Sequence, residues 1–300
     1  MIKVIPRSYV VYTFSPKNKP FTKVKPGDKL IFETIDALGG QIKDESITMD
    51  SIDWSKVNGV TGPVYVESAE PGDTLVVKIL DITLDDTGFI IIVPGFGVLG
   101  KRVKYRPHVK IVKIINGYAY IDSLKLPIKP MVGTIGVSPH KEVPTGTLGR
   151  YGGNMDVKEL GRGAVLYLPV FVKGALLAMG DVHALQSDGE LCVSAIEVSA
   201  RVTVEIDVIR GRQSPWPILE TKNYYAYLIA GKTLDEAVEE AAYVATQALS
   251  KAMSISFEKA YMLTSLIVDV KINQVVDPLK GVRATIPKDL VDLEDLLYIK

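Results

Sequence analysis

The sequence predicts a mainly β protein of the α+β class that carries a helical element near its C-terminus. Residues 1–210 are dominated by short runs of Val, Ile, Thr, Tyr and Phe that Gly, Pro, Asn and Asp interrupt, a pattern typical of strands and turns. Helical periodicity begins only after Gly231. With 300 residues, 47% of them apolar, the chain can bury a substantial core. We therefore expect sheets first and helices last.

Two segments in the first third of the chain resemble each other. KPGDKLIFETID (25–36) and EPGDTLVVKILD (70–81) each combine a Pro-Gly-Asp turn with a strand that ends in aspartate. We interpret them as two related hairpin arms. In the first arm, alternation places Asp36 at the end of an apolar face, at the rim of whatever that face packs against. The residues predicted to share this face are Leu30, Phe32, Thr34 and Asp36.

Further strands are expected wherever β-forming runs lie between turn signals. Asn116-Gly117 is a strong signal for a tight hairpin turn. The runs lie at 89–93, 109–115, 118–122, 165–171, 175–179, 191–198 and 201–209. The apolar stretch 163–180 approaches membrane-spanning length, but Pro169 and the Lys173-Gly174 pair interrupt it. We interpret this stretch as strand, turn and strand, and expect no membrane span.

The clearest helix signal covers residues 232–253. Thr233 and Glu236 have the spacing of a capping box, and the apolar residues that follow form one stripe. A shorter helix is expected at 257–267, with strands at 268–275 and 282–286. The tail, 289–300, is either a short helix or an edge segment. We treat 1–300 as a single domain because no linker separates two parts, with a candidate internal division near 210–230 between a β-rich part (1–210) and a mixed α/β part (211–300).

Charge and cysteine content exclude several function classes. Lys and Arg together number 35, as do Asp and Glu, so no basic excess attracts nucleic acid or an anionic membrane. A small, weakly charged substrate fits better. The lone Cys192 suits a reducing compartment, and the N-terminus lacks the pattern of an export signal, which together predict a cytoplasmic protein.

The segment GDVHALQSDGE (180–190) combines metal-ligand residue types at useful spacing. Asp181 and His183 would point from the same face of a continuing strand. A tight turn at Asp188-Gly189 would bring Asp188 and Glu190 back toward them. A histidine with several carboxylates suits Zn²⁺ or another divalent ion. On spacing alone, an ordinary hairpin turn with a solvated rim explains the pattern equally well.

The segment GGNMD (152–156) is a second candidate. Gly152 and Gly153 would allow positive φ or close approach to a ligand, while Asn154 and Asp156 could orient an amide. Taken alone, the segment is better explained as an Asx-rich turn. The chain contains no GxSxG elbow, HExxH helix, paired CxxC or phosphate-binding GxxxxGK[ST] loop.

Several motifs, in order along the chain, resemble the acetamidase/formamidase family. They are VKPGDKLIFETIDALGGQI, GPVYVESAEPGDTLVVKILDI, GTIGVSP, GGNMD, GAVLYLPVFVKGALLAMGDVHALQSDGE and VSAIEVSARVTVEI. The resemblance is strong from about residue 25 to 210. It implies a β-rich sandwich or jelly-roll fold, hydrolysis of short aliphatic amides such as formamide and acetamide to a carboxylate and ammonia, and assembly as a homodimer.

The resemblance also implies a set of site residues. Matching segments contribute metal ligands, catalytic carboxylates and residues that bind substrate. The expected ligands are Asp36, Asp181, His183 and Asp188; the catalytic carboxylates are Glu190, Asp156 and Glu33; the substrate-binding residues are Gly152, Gly153, Asn154 and Gln186. The chain departs from the family's QGDGE pattern at Ser187, which puts the placement of Asp188 in question.

The resulting hypothesis is a metal-dependent amidase. A divalent metal, zinc with calcium as the alternative, activates a water that attacks the amide carbonyl, and Glu190 or Asp156 carries the proton to the departing ammonia. Asn154 and the N–H groups of Gly152 and Gly153 stabilise the oxyanion. Two other hypotheses stay open: an amidase with Cys192 as nucleophile, supported by a Glu and a Lys, and a non-enzymatic, Ca²⁺-stabilised β-sandwich that binds a partner.

Overall fold

The computed structural model describes residues 2–297, and over this range the chain forms two large β-sheets, a two-stranded ribbon and helices near its C-terminal end. The first sheet has nine strands. In spatial order they are β1 (Lys3–Ile5), β5 (Lys29–Thr34), β19 (Ala200–Ile209), β7 (Thr74–Leu84), β16 (Val165–Pro169), β20 (Ile218–Glu220), β21 (Tyr224–Gly231), β23 (Lys280–Pro287) and β22 (Asp269–Gln274).

The second sheet of the described chain has twelve strands. Its main path runs β11 (Leu124–Pro127), β10 (Tyr118–Ile121), β9 (His108–Ile115), β8 (Thr87–Ile92), β18 (Glu197–Val198), β17 (Leu177–His183), β12 (Met131–Gly136), β15 (Gly152–Asn154) and β14 (Leu148–Gly149). Off this path, β6 (Val60–Val66) pairs with β17, and β2 (Val10–Val11) and β4 (Thr22–Val24) pair with β6. The ribbon joins β3 (Thr13–Phe14) to β13 (Val143–Pro144).

The main hydrophobic core is shared by the two sheets. Phe32 and Val204 from the first sheet belong to the same buried cluster as Val132 and Met179 from the second. Burying this apolar surface is the main favourable contribution to folding. The mainly β class predicted from the sequence is confirmed, with the C-terminal helices added to a sheet rather than forming a separate bundle.

Helices cover one end of the nine-stranded sheet. The helix α1 (Leu234–Ala252) begins at Thr233, whose side chain accepts a hydrogen bond from the Glu236 N–H, so the predicted capping position is confirmed. Its small buried residues pack on β21 and β23 in a second apolar cluster. The helix α2 spans Phe257–Ile267 as predicted, and α3 (Leu293–Leu296) lies in the tail. Residues 298–300 of that tail lie outside the described range.

The two Pro-Gly-Asp segments form matching turns but not hairpin arms. Asp28 accepts a hydrogen bond from the Lys25 N–H at 2.9 Å, and Asp73 accepts the equivalent bond from Glu70 at 3.0 Å. The strands that follow, β5 and β7, lie on opposite sides of β19 and both pair with it antiparallel. The local repeat is therefore confirmed, and the hairpin interpretation is wrong because a strand from far along the chain separates the two.

The strand expected at 191–198 is also wrong over most of its length, since only Glu197–Val198 is strand. Glu190 and Val193 have positive φ, at 48° and 82°, which is incompatible with an extended strand. This irregular loop places Glu190 and Val193 on a cavity wall. The stretch 163–180 does form strand, turn and strand, and no helix among residues 2–297 is long and apolar enough to cross a membrane.

Candidate active site

The C-terminal end of β17 carries two polar residues in the centre of the twelve-stranded sheet. Asp181 and His183 are 3% and 1% exposed, and their side chains meet as predicted, although the positive φ of Asp181, 54°, interrupts the extended strand. The neighbouring strand β18 places Glu197 opposite His183 in the register. These three side chains therefore meet beneath the surface, although Glu197 lies well outside the segment that the sequence singled out.

Two carboxylates lie beside one ring nitrogen of His183. Its Nε2 atom is 3.1 Å from Oδ1 of Asp181 and 3.2 Å from Oε2 of Glu197. Ligands about 2.0–2.2 Å from a tetrahedral metal are about 3.3–3.6 Å apart, so this spacing is within a few tenths of an ångström of that in an N/O metal site. The Glu197 contact is an ion-pair distance without hydrogen-bond alignment, which leaves Oε2 without a hydrogen-bond partner among the described residues.

Gln186 fixes the orientation of the His183 ring. Its Nε2 donates to the backbone oxygen of Asp156 at 2.8 Å, so its Oε1 must face Nδ1 of His183, at 2.7 Å. A carbonyl oxygen can only accept, and Nδ1 therefore carries the proton. In the neutral ring this leaves the Nε2 lone pair directed toward Asp181 and Glu197, which is the tautomer that a metal ligand needs.

Asp156 and Glu190 form a second buried group around His183. One ligand atom from each of these residues and from His183 lies within 4.8 Å of the others. Neither carboxylate oxygen of Asp156 has a hydrogen-bond partner among the described residues, although the residue is fully buried. Burial and the neighbouring carboxylates raise the pKa of Asp156 and of Glu190 well above the usual range.

The cluster is strongly acidic around a single histidine. Burial alone would lower the pKa of His183, but Glu197 and Asp181 outweigh it and raise that pKa well above its usual value. Burial has the opposite effect on a carboxyl group, and it raises the pKa of Glu197. Buried carboxylates without partners are costly, and protons or a cation must neutralise them. The orphaned oxygens of Asp156 and Glu197 therefore fit a divalent metal ion, which would replace the proton that this acidic setting favours on Nε2 of His183.

A polar network extends from this cluster to the C-terminal part of the chain. Asn154 donates from Nδ2 to Oδ2 of Asp277 at 2.8 Å, and the Thr134 hydroxyl lies between Asn154 Oδ1 at 2.6 Å and Asp181 Oδ2 at 3.0 Å. Burial raises the pKa of Asp277 to about 7. A glycine is required at Gly133, because a Cβ there would lie 2.6 Å from Oδ1 of Asp156.

The acidic cluster opens into a cavity of about 300 Å³. Both apolar and polar side chains line it. The apolar lining includes Leu38, Phe89, Ile91, Phe96 and Val193, and the polar lining includes Asn154, Asp181, Glu190, Glu197 and Asp277. The volume is at the lower end for small-molecule sites, which suits a compact, uncharged ligand with one polar end.

Two of the expected residues near the N-terminus lie outside the cluster. Asp36 follows β5 and accepts hydrogen bonds from the N–H groups of Leu38 and Gly40, at 3.0 and 3.1 Å. It therefore shapes the turn that carries Leu38 to the cavity wall. Glu33 lies on the half-exposed side of β5, 3.6 Å from Arg201.

Asp188 and the two glycines also differ from expectation. Asp188 pairs with Lys158 at 2.7 Å and with Arg283 at 3.0 Å, and these cations lower its pKa against the effect of burial. Gly152 and Gly153 lie in β15 between β12 and β14, with positive φ. A Cβ on Gly153 would lie 2.1 Å from the Thr147 oxygen, so these glycines allow close strand packing rather than forming an open N–H pocket.

Cys192 lies in the loop after Glu190 and is half-buried. Its sulfur is 3.3 Å from the carbonyl oxygen of Ser194 and 4.0 Å from that of Ile91. Neither contact activates a thiol as a nucleophile, because both acceptors are neutral. The geometry thus favours the His183 cluster over Cys192 as the reactive centre.

Comparison with known proteins identifies the family. The model of the Acetamidase/Formamidase family matches residues 9–150 and 144–293, which together cover nearly the whole chain. The chain belongs to this family. It is 30% identical over 289 residues to a formamidase from Methylophilus methylotrophus, with 71% of this chain and 70% of that protein covered.

Solved structures of the family share the fold over almost the full length. A recombinant predicted acetamidase/formamidase from Thermoanaerobacter tengcongensis superimposes with a TM-score of 0.95 at 39% identity, covering 99% of both chains. An acetamidase from Bacillus halodurans gives 0.93 at 36% identity, covering 95% of this chain and 97% of that one. Like its family, the protein is a hydrolase that acts on amide C–N bonds.

Proposed function

We propose that this acetamidase/formamidase-family member hydrolyses short aliphatic amides, formamide and acetamide first, to the carboxylate and ammonia. The observation that carries the proposal is the position of His183 Nε2 between Asp181 and Glu197, two carboxylates that line a small cavity together with many apolar side chains. Relatives named formamidase and acetamidase support the substrate class. The apolar part of the lining leaves room for a short acyl group, and the polar part can form hydrogen bonds with the amide group.

Asp181, His183 and Glu197 are the proposed ligands of a divalent cation, with zinc as the first choice and calcium as the alternative. The mixed nitrogen and oxygen donor set favours zinc, whose binding at His183 would displace a proton from Nε2. Calcium prefers oxygen ligands, which Asp156 and Glu190 would supply. A divalent cation at such a site supplies Lewis acidity and lowers the pKa of water that it holds.

Glu190 and Asp156 are the proposed proton carriers. Hydrolysis adds the oxygen of water to the amide carbon, and the C–N bond breaks as the nitrogen gains a proton. A carboxyl group that accepts the proton from water and passes it to the nitrogen works best with a pKa near the operating pH. Burial raises the pKa of both groups, and Glu190 also lines the cavity.

Asn154 and Asp277 are the proposed groups that orient the substrate. Both line the cavity and are hydrogen-bonded to each other. The side-chain N–H of Asn154 can donate to the amide oxygen, and a carboxylate oxygen of Asp277 can accept from the amide NH₂. Gln186, by contrast, orients His183 rather than the substrate, and Gly152 and Gly153 have no part in this proposal.

The test is an ammonia-release assay on formamide, acetamide, propionamide and a long-chain amide. The protein is assayed as purified, after chelation, and after zinc or calcium is restored. We expect activity on the short amides that chelation removes and one of the two ions restores. His183→Ala should abolish both activity and bound metal, whereas His108→Ala, at an exposed position of β9, should change neither. Full metal content and full formamide hydrolysis in His183→Ala would overturn the assignment.

The same samples test the alternative nucleophile. Cys192→Ser should keep full activity, and a thiol-alkylating reagent such as N-ethylmaleimide should leave hydrolysis unchanged. Loss of activity on alkylation combined with resistance to chelation would favour Cys192 over the metal cluster.

Assembly and location complete the proposal. The family resemblance supports a homodimer, and the single cysteine supports a reducing compartment such as the cytoplasm. Light scattering of the purified protein should give a mass near twice that of the 32.8 kDa chain, and cell fractionation should recover it with cytoplasmic enzymes.

A further inference from the structure

Arg283, on β23, is a fully buried cation with several partners. Its Nη1 donates to the Ile272 backbone oxygen at 3.0 Å and to Oδ1 of Asn273 at 2.9 Å. Its Nη2 donates to Glu159 at 3.1 Å and to Asp188 at 3.0 Å. The side chain is 0% exposed. A buried charge held in this way fixes the relative positions of its partners, since moving any of them would leave the cation unpaired.

The two acidic partners of Arg283 belong to segments that carry the proposed proton carriers. Glu159 closely follows Asp156 in the chain. Asp188 lies between Gln186, which orients His183, and Glu190. Lys158 joins the same two segments, because its Nζ contacts Asp188 at 2.7 Å.

The hairpin of β22 and β23 holds the same loop through its backbone. The Gly189 N–H donates to the Asn273 oxygen at 2.8 Å, and the Val275 N–H donates to the Gly189 oxygen at 3.2 Å. At the end of β22, Oε1 of Gln274 accepts from the N–H of Asp277 at 3.0 Å. The hairpin that carries Arg283 thus also leads into the loop that brings Asp277 to the cavity.

We infer that Arg283 is a positioning residue for the hydrolytic site. Through Glu159, Asp188 and Asn273 it aligns three segments that carry Asp156, Glu190 and Asp277. Within residues 2–297, none of its hydrogen-bond or ion-pair partners lines the cavity or is a proposed metal ligand. The catalytic part of this inference rests on the proposed function. The role depends on the shape of the guanidinium group, because four acceptors are met by two nitrogens of one planar fork.

The test compares Arg283→Lys and Asp188→Asn with the wild-type protein. Lysine keeps the positive charge but lacks the planar guanidinium group, so the loops that Arg283 holds should shift. Displacement of reacting groups by about 1 Å costs on the order of 100-fold in rate. We expect kcat/KM for acetamide to fall on the order of 10- to 100-fold in Arg283→Lys, with kcat lowered through the displaced Asp156 and Glu190 and KM raised through the displaced Asp277. Arg212→Lys, which alters the exposed pair with Glu294, is the matched control.

The double variant that combines Arg283→Lys with Asp188→Asn separates positioning from general destabilisation. If Arg283 acts through Asp188, the double variant should lose little more kcat than Arg283→Lys alone, whereas independent effects would multiply. The Asp188 side chain is half-exposed, so the Asp188→Asn protein should fold even if the Arg283→Lys protein does not. A folded Arg283→Lys protein with wild-type kcat, or fully multiplicative losses, would overturn the inference.

Crystal structures of the wild-type protein and both variants give a readout that does not depend on activity. We expect the 186–190 loop, with the Glu190 carboxylate, to be displaced in the variants. Superimposable loops would overturn the positioning role even if the wild-type protein hydrolysed no amide. An inactive wild-type protein with displaced loops in the variants would instead reject the proposed function and leave the positioning role intact.

Discussion

Gln186 joins His183 to Asp156: it accepts from Nδ1 of the ring at 2.7 Å and donates to the Asp156 backbone oxygen at 2.8 Å. One side chain thus sets the tautomer of the proposed metal ligand and ties it to the segment of a proton carrier. Groups that orient a ligating histidine typically matter almost as much as the ligand itself.

The first prediction concerns this link. Gln186→Ala should lower metal affinity or kcat/KM by about 10- to 100-fold, because the His183 ring loses the acceptor that holds its proton on Nδ1. Metal titration by calorimetry and the ammonia-release assay measure the two effects. Gln247→Ala, on the exposed side of α1, is the control and should leave both unchanged. Wild-type values in Gln186→Ala would mean that the ring is oriented by other contacts.

The second prediction separates the ligand set expected from sequence from the one built on geometry. Glu197→Gln should lose bound metal, whereas Asp36→Asn and Asp188→Asn should retain it. Asp36→Asn should cost no more than about 1 kcal/mol in stability, because the amide oxygen of asparagine can still accept the hydrogen bonds from the two turn N–H groups. Elemental analysis of the purified variants gives the metal content. Metal loss in Asp36→Asn with retention in Glu197→Gln would reverse the assignment.

The third prediction concerns stability against pH in the metal-free protein. The pKa of Asp277 is raised from 3.8 to about 7, so between these values the native state holds a proton that the unfolded state has lost. Stability from this group is complete below about pH 4 and is lost as pH rises through 7. At about 1.4 kcal/mol per pKa unit, the loss is at most about 4 kcal/mol.

Replacing the carboxyl group should remove this contribution. Urea unfolding at pH 5 and pH 8 should show a smaller decline in the free energy of unfolding for Asp277→Asn than for the wild-type protein. Asp235→Asn, on the exposed side of α1, should decline as the wild-type protein does. An unchanged decline in Asp277→Asn would show that Asp277 is ionised across this pH range.

The fourth prediction compares two glycines with similar backbone angles. Gly153 has a φ of 92° and would place a Cβ 2.1 Å from the Thr147 oxygen, whereas Gly163 has a φ of 88° and nothing within 4 Å. Gly163→Ala should cost about 1–2 kcal/mol from backbone strain alone. Gly153→Ala should cost several kcal/mol more or prevent folding, as thermal unfolding of the soluble fraction would reveal. Equal costs would argue against tight packing at β15.

The sequence predicted those parts of the site that depend on local geometry. Strand alternation placed Asp181 and His183 on one face, and the turn at Gly189 brought Glu190 back to them. The sequence assigned Gln186 to substrate binding, because its partners in the structure, a ring nitrogen and a backbone oxygen, become visible only in three dimensions. A sequence signal for close packing did exist at Gly133, the first residue of the GTIGVSP motif, where any side chain would meet Asp156, but the sequence assigned that glycine no role.

The residues that were missed come from long-range pairing. Glu197 reaches His183 only because β18 lies beside β17 in register, while the sequence pattern suggested one longer strand there. Asp277 and Arg283 arrive from a hairpin whose sheet position the local pattern does not determine. Asp188 had the right residue type and the right turn, yet its partners are Lys158 and Arg283. Register and sheet order, rather than composition, decided these cases.

The nine-stranded sheet crosses the candidate division near 210–230, since β16 pairs with β20 and the hairpin of β22 and β23 closes its far edge. A gene interrupted by a stop codon shortly before Arg283 would therefore encode nearly every residue of the His183 cluster and still give a null allele. Selection should act on the hairpin of β22 and β23 as strongly as on β17, and insertions that disturb β23 should be as damaging as changes to β17.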